Sequence, residues 1–580
     1  MSLDFEAVER QVTTRSFREK DVQALKNGHL TMSPHPTWNL PSDPTWQEDP
    51  FHDRNWCFQF HMLRWLEPLR HAGEAGDTEA ADLWLCWVQD WVAKNPPEAP
   101  SSPWAWTDMS DGIRARQLCM AAPLVQSHRP ELMDWLETTI RVHGEHLADP
   151  RNMGNANHAL HQQEALFVVG RVLQDEALWR LAAQRMGDLL HAQYDEQGMN
   201  AEGAVAYHSN NFQWWERALK RFDREGLARP DGAERHLHAP EELAHATRPD
   251  GTFVTIGDTD TATAKPVGTT LTDYVTSNGA AGHAPTDTVR IYDAGYVFAR
   301  SGWGGKGRGG RSFADETFYS LRFGPSQSVH GHPDGGSLTY SASGANWIVD
   351  PGKYEYGKSV ARLHVASRAA HSLVSIEGRA PRTYAEVQLV RRAVTPTHHD
   401  FTLVDDSFPR TSLRRRVVHS VRGEYLVVLD DVQARKTVVA SQRWQLGPGI
   451  SAEAAPCDGD GTVLRLSYGD ALATLHLLDP VDLSMVTGQE EPFDGWVSTG
   501  WRQKEPATAV TAQRAGSTMR IAAVLAAAPP GASTPPTVRV LAQDPDGLFL
   551  SLAVDTGSVQ EVMTITASSV SVEEPFRTTS

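Results

Sequence analysis

Two histidines in one Gly/Asp/Pro-rich turn, His330 and His332, are the side chains in this sequence best placed to do chemistry. They stand in the stretch SQSVHGHPDGGSLTYSASGANWIVDPG, Ser326 to Gly352. Leu338 and Tyr340, then Trp347 and Val349, alternate with smaller or polar residues. That pattern predicts two antiparallel strands joined around Ser343-Gly344. Such a hairpin brings His332 and Asp350 to one end, and His371 follows in Arg368-Ala-Ala-His371. Two imidazoles and a carboxylate from neighbouring strands make a donor set for a divalent cation, zinc by preference. A lone His-x-His in a Gly-rich loop is more commonly a solvated turn, so spacing does not settle the metal role.

Other polar clusters recur along the chain. They are Asn157-His158 ahead of an amphipathic stretch, Glu202-Gly203 with Tyr207-His208, and Gly257-Asp258-Thr259-Asp260. Asp293-Ala-Gly-Tyr296 with Arg300-Ser-Gly-Trp303 follows. Taken alone, Asn157 reads as a helix N-cap and Tyr207 as a buried tyrosine at a helix start. In this order, together with HGHPDGGSLTYSASGANWIVDPGKYEYG, the set resembles the heparinase II/III family of polysaccharide lyases, from near Asp49 to near Gly378.

The resemblance implies cleavage of uronic acid-containing glycans by β-elimination. That reaction removes the weakly acidic C5 proton beside the uronate carboxylate, holds the dianion that develops, and protonates the departing O4. By the same resemblance Asn157 neutralises the carboxylate and His158 assists or acts as base. Tyr207 is then the acid and, in a syn elimination, also the base, while His330 completes the carboxylate clamp. His332, Asp350 and His371 are left to a zinc ion that pins the loop carrying His330. Ser372 departs from the family pattern, which has asparagine after that histidine. Glu202 and His208 are expected to touch substrate. Trp106 and Arg114, with Trp104 and Arg116 beside them, could line a sugar subsite or pack as core and surface helix.

These residues need two kinds of scaffold. In Glu131–Leu147 the apolar positions Leu132, Trp135, Leu136, Ile140 and Leu147 share one helical face. Leu178, Leu181, Ala182, Met186 and Leu189 do the same in Glu176–Leu190. Helical patterning continues to about Leu243 without a strict repeat, which suggests an α/α solenoid or toroid. The resemblance implies an incomplete α/α toroid. Beyond Arg290, runs such as Arg416–Asp430 and Ala473–Leu478 alternate or carry β-branched residues between turns, predicting a large antiparallel β-sandwich. The expected organisation is a lead-in over 1–45, a toroid over 46–285 and a sandwich over 286–580. A smaller sheet is expected from about residue 490, and the stretch Ala526–Pro536 reads as a loop.

Composition bounds the function. A chain of 580 residues exceeds one core. A formal charge of −18 argues against non-specific nucleic-acid binding and against a broad basic track for a heavily sulfated polymer. Eighteen tryptophans, some among polar residues, suit sugar stacking as well as cores. Cys57, Cys86, Cys119 and Cys457 show neither metal-type nor framework spacing, which fits a reducing compartment. The first residues contain no apolar signal region, and no apolar run is long enough to span a bilayer. A cytoplasmic enzyme without a membrane partner is therefore expected, acting exolytically on oligosaccharides and leaving an unsaturated uronate. The oligomeric state is open, a homodimer included. Two rivals stand beside this reading. A glycoside hydrolase would need two opposed carboxylates, Glu202 with Asp258 or Asp260. A non-catalytic glycan-binding or cell-envelope assembly protein would have no use for Tyr207 and Asn157.

Overall fold

The computed structural model describes residues 3–11, 17–107, 109–265, 267–305, 311–325, 329–455, 461–544 and 549–574. Cys457 and Ser326 to Ser328 lie outside the described residues. The chain forms two compact units, Met1–Tyr194 with Asn211–Leu237, and Asp195–Asn210 with His238–Ser580.

The first unit is helical. Its lead-in holds two short helices, Phe5–Gln11 and Glu19–Lys26, before a small hairpin pairing His29–Leu30 with Trp38–Asn39. The periodic stretches fold as read: Met133–Ala148 buries Leu136, Ile140 and Leu147, and Glu176–Gln193 buries Ala182, Met186 and Leu189. Asp77 and Asp175 cap their helices by accepting backbone N–H bonds from Ala80 and Ala177. Helix Ala156–Val172 is different, buried nearly all round and packed by Met109–Met120 and Glu176–Gln193. A helix enclosed on every side loses its one-faced apolar pattern, and here it carries buried Gln162, Gln163 and Glu164. Arg116, Arg217 and Arg221 surround Glu164 and, against the cost of burial, hold its carboxyl well below the usual range.

The second unit is built of antiparallel sheets. Among the described residues a five-stranded sheet and an eleven-stranded sheet face each other, and a four-stranded sheet covers the far side. The first interface buries Val297, Tyr319, Tyr340 and Trp347 against Phe401, Val428, Trp444 and Leu525. The second buries Val427, Leu429 and Val524 against Leu552, Met563 and Ile565. Leu426–Gln445 is covered on both faces, so Leu426 to Leu429 reads as a continuous apolar run rather than an alternation. The hairpin expected around Ser343-Gly344 is present, Leu338–Ala342 pairing with Ala345–Ile348. The smaller sheet comprises Thr537–Gln543 to Val570–Glu573 and so begins later than about residue 490; strand Ala509–Ala527 takes in the first two residues of the stretch read as a loop, and the remainder connects that strand to the smaller sheet.

Within the compact units, Asp195–Asn210 and residues 238 to 285 group with the sheets. This segment has little regular structure to read from sequence. Isolated bridges, Thr247 with Phe253 and Thr252 with Thr263, and long-range bonds such as Thr255 Oγ1 to Asp350 O (2.8 Å) hold it instead.

Candidate active site

Three of the sequence motifs meet through their backbones. His330 N donates to Glu202 O at 2.7 Å, and Asp258 N donates to His330 O at 2.8 Å. Gly257 sits at φ +60°, where a Cβ would stand 2.5 Å from Gly203 O and 2.7 Å from His330 O, so only glycine fits this crossing. Helix Val205–Arg224 starts just beyond, with Ala206 N bonded to Thr259 Oγ1 at 3.0 Å. Its first turn delivers Tyr207 onto His330, rings stacked with centroids 3.4 Å apart and 11° between planes. The Tyr207 hydroxyl is hydrogen-bonded to the hydroxyl of Tyr356. His330 Nδ1 lies 3.1 Å from Asp258 Oδ2, and its Nε2 lies 3.8 Å from Glu202 Oε2.

The electrostatics separate the groups. Burial, reinforced by Tyr356, pushes the Tyr207 phenol well above its ordinary value, so it keeps its proton. Burial opposes charge on Asp258, but bonds to His330 and His332 and the nearby Arg362 guanidinium hold its carboxyl well below the usual range. A neutral phenol therefore stands beside an imidazole oriented by a fixed anion.

A second cluster lies behind the first. Asp334, Asp350 and His371, all buried, offer ligand atoms within 4.8 Å of one another. Ser337 Oγ donates to Asp350 Oδ1 at 2.6 Å and Arg322 Nε to Asp334 Oδ1 at 3.2 Å. The other oxygen of each carboxylate is buried with no hydrogen-bond partner. Burial and the neighbouring Asp334 push Asp350 up to about 8. His371 Nδ1 lies 2.8 Å from Ser367 O and so carries its proton there, which turns an Nε2 lone pair toward His332 Nδ1 at 3.3 Å. His332 Nε2 is 3.0 Å from Asp258 Oδ1 and donates to it, leaving Nδ1 as a second lone pair facing the first. Two facing lone pairs beside two orphaned carboxylate oxygens fit a divalent cation. The structure thus brings His332 next to His371 and Asp350 next to His371. It adds Asp334, which the sequence reading passed over although it stands two residues beyond His332.

Asn157 and His158 belong to the first unit. Asn155 occupies the N-cap position of Ala156–Val172, and Asn157 is the second helical residue, buried, so the capping reading is set aside. Ala156 before it has φ +50°, a left-handed conformation that costs a residue with a Cβ about 1 kcal/mol or more. Gln162 pins the approach: its Oε1 accepts from Gly154 N at 2.7 Å, and its Nε2 donates to Asn152 O at 2.9 Å and Asp111 Oδ2 at 3.0 Å. The His158 ring sits edge-on to Phe58, centroids 6.4 Å apart.

Several expected substrate contacts are corrected. Arg114 is fully buried, donating to His143 Nε2 at 2.9 Å and His61 O at 2.8 Å, with its guanidinium over Trp91 and Trp106 at 3.8 and 4.8 Å. Aromatic faces solvate this cation, and burial lowers its pKa to about 9. Trp106 donates to Asn95 O at 2.8 Å as part of the same packing. His208 is buried between Asn200 N, at 3.1 Å from its Nδ1, and the Glu242 carboxylate, so it braces the helix start. Glu202, also buried, supports His330. Asp260 accepts from Lys353 N at 3.0 Å, Tyr354 N at 3.2 Å and Ser498 Oγ at 2.7 Å. Glu202, Asp258 and Asp260 are thus engaged by protein groups, which removes the opposed pair a hydrolase needs.

Helices ahead of a β-sandwich, with a phenol and imidazoles where a hydrolase would place two acids, define a carbon–oxygen lyase of the polysaccharide class. The family model described as heparinase II/III N-terminus matches residues 2–234, and that described as heparinase II/III-like, C-terminal, matches residues 284–538. The chain belongs to the heparinase II/III family. A heparin-sulfate lyase of Bacteroides stercoris is 21% identical over 520 residues, covering 81% of this chain and 74% of that protein. The crystal structure of a heparinase III superposes with a TM-score of 0.78 at 16% identity, covering 97% of this chain and 95% of the other. The heparan sulfate lyase HepC of Pedobacter heparinus gives 0.71 at 17% identity, covering 98% and 92%. The fold is that of these lyases, an α/α toroid followed by an antiparallel β-sandwich.

Proposed function

We propose that the protein cleaves uronic acid-containing glycans by β-elimination and leaves an unsaturated uronate at the new non-reducing end. The observation that carries this reading is Tyr207, protonated, stacked on His330 and bonded to Tyr356. A protonated phenol suits delivery of a proton to the departing O4. His330, oriented by Asp258, and Asn157 are assigned to the uronate carboxylate, whose developing dianion their N–H groups stabilise. His158 is assigned as base, taking the C5 proton while the protonated Tyr207 gives its own to O4. The names of the relatives, heparin-sulfate and heparan sulfate lyases, support a glycosaminoglycan substrate. The free thiols of Cys57, Cys86 and Cys119 support a reducing compartment, and with it exolytic attack on oligosaccharides.

The test is incubation with heparan, chondroitin, hyaluronan, alginate and bacterial uronate glycans, following ultraviolet absorbance of the new double bond. At least one should give rising absorbance. New reducing ends without that absorbance would show hydrolysis and overturn the reading.

Asp334, Asp350, His371 and His332 are proposed to hold one divalent ion, zinc by their donor types. The ion would supply the positive charge that these buried carboxylates and lone pairs face. Metal analysis of undialysed protein should find about one divalent ion per chain, and chelation should lower the melting temperature and the activity together, zinc restoring both. Protein free of divalent metal with the same melting temperature would remove the ion from the account.

A further inference from the structure

The chain beyond Asp350 turns sharply. Tyr354 adopts φ +70°, a strained conformation for a tyrosine that neighbouring bonds must enforce. Tyr354 N is held by Asp260 and by Ser498 Oγ at 2.9 Å, and Tyr354 O accepts from Arg502 N at 2.8 Å. Ser498 N donates to Pro351 O at 2.8 Å. These bonds lace the turn to the hairpin Trp496–Gly500 and Gln503–Pro506, whose tip is Trp501-Arg502. Tyr356 is 44% exposed, and its ring lies 5.6 Å from that of Trp501, tilted by 57°. The Lys353 ammonium stands 4.9 Å from the Tyr356 centroid and 5.8 Å from Trp501, and the Arg502 guanidinium 5.9 Å from Trp501. The two cations differ in their acidic partners: Lys353 Nζ is 3.6 Å from Asp260 Oδ2, whereas Arg502, itself 47% exposed, donates to the buried Glu355 at 2.7 Å and keeps its outer face toward solvent.

We propose that Tyr356, Trp501, Lys353 and Arg502 form a binding subsite for an anionic pyranose ring beside Tyr207. The aromatic faces offer apolar surface to the C–H face of a sugar, and the two cations flank that surface where a ring carboxylate or sulfate would lie. In a chain of net charge −18, an acidic glycan is repelled at long range, and such a local pair of cations must offset that repulsion. The link to chemistry is direct, because Tyr356 bonds the Tyr207 hydroxyl. This inference rests on the functional reading above and names where that substrate binds.

Calorimetric binding in the Tyr207→Phe background, where turnover is removed, tests it with an acidic uronate tetrasaccharide and its carboxyl-reduced counterpart. Trp501→Ala should weaken binding of both by about tenfold, the scale of one lost aromatic contact, and Trp501→Phe should recover most of it. Lys353→Met should cut the preference for the acidic over the reduced form by about tenfold, and Lys353→Arg should restore it. A purely structural role for these side chains would not split the two ligands in this way. Dissociation constants within about twofold of the parent for Trp501→Ala, or an unchanged preference for Lys353→Met, overturn the subsite. Should Trp501→Ala fail to fold, Lys353→Met decides. If the wild-type protein binds the acidic tetrasaccharide with these dependencies yet forms no double bond on any uronate glycan, the lyase reading falls and the subsite stands.

Discussion

Tyr207→Phe should lower turnover by about two to four orders of magnitude while oligosaccharide still binds. The substitution keeps the ring on His330 and removes only the oxygen that Tyr356 meets. Because burial already holds that oxygen in its protonated form, the wild-type acid step persists far into alkaline pH, and its loss is not rescued by lowering pH. Single-turnover rates with binding measured in parallel separate the two effects. A variant with near-normal turnover would move the proton to His158.

Asn157 gives the second large effect. An amide beside the uronate carboxylate donates a hydrogen bond to the growing dianion, and its removal in Asn157→Ala should raise the barrier by about 3 to 4 kcal/mol, the scale of a lost oxyanion-hole donor. Asn157→Asp should be at least as damaging, because it sets like charge against the carboxylate. The fold makes this ranking diagnostic. Asn157 lies in the first turn of Ala156–Val172 and is not its cap, and an acidic side chain there is favoured by the helix dipole. The Asp variant should therefore be the more stable of the two and the less active. An Asp variant that keeps its activity on the responsive glycan would leave the carboxylate clamp without this residue.

What the sequence made legible follows from range. Amphipathic periodicity located Met133–Ala148 and Glu176–Gln193, and alternation located the strands flanking Ser343-Gly344, because local burial sets both patterns. Tyr207 and His330 were readable only through motif resemblance, since backbone bonds between Glu202, His330 and Asp258 bring them together across long stretches of chain. Tyr356, Arg362 and Asp334 escaped notice for the same reason: nothing local distinguishes them, and their partners are remote. Arg114 shows the opposite error. Its type suggested a ligand contact, but four aromatic or histidine neighbours accommodate it as part of a core. That residues 238 to 285 group with the sheets was not legible, because long-range bonds such as Thr255 Oγ1 to Asp350 O, not periodic elements, tie that stretch to them.

One continuous string runs from His371 through His332, Asp258 and His330 to the ring of Tyr207. Asp258 bonds both histidines of the turn and His330 stacks on the phenol, while His332 and His371 meet only through the lone pairs a cation would bridge, so drift at Asp258 would tilt the phenol. Variation in diet among such enzymes is then pushed outward, to the rim where Tyr356 and Trp501 meet solvent. A lineage could change the sugars it consumes by exchanging rim side chains while the string stays frozen.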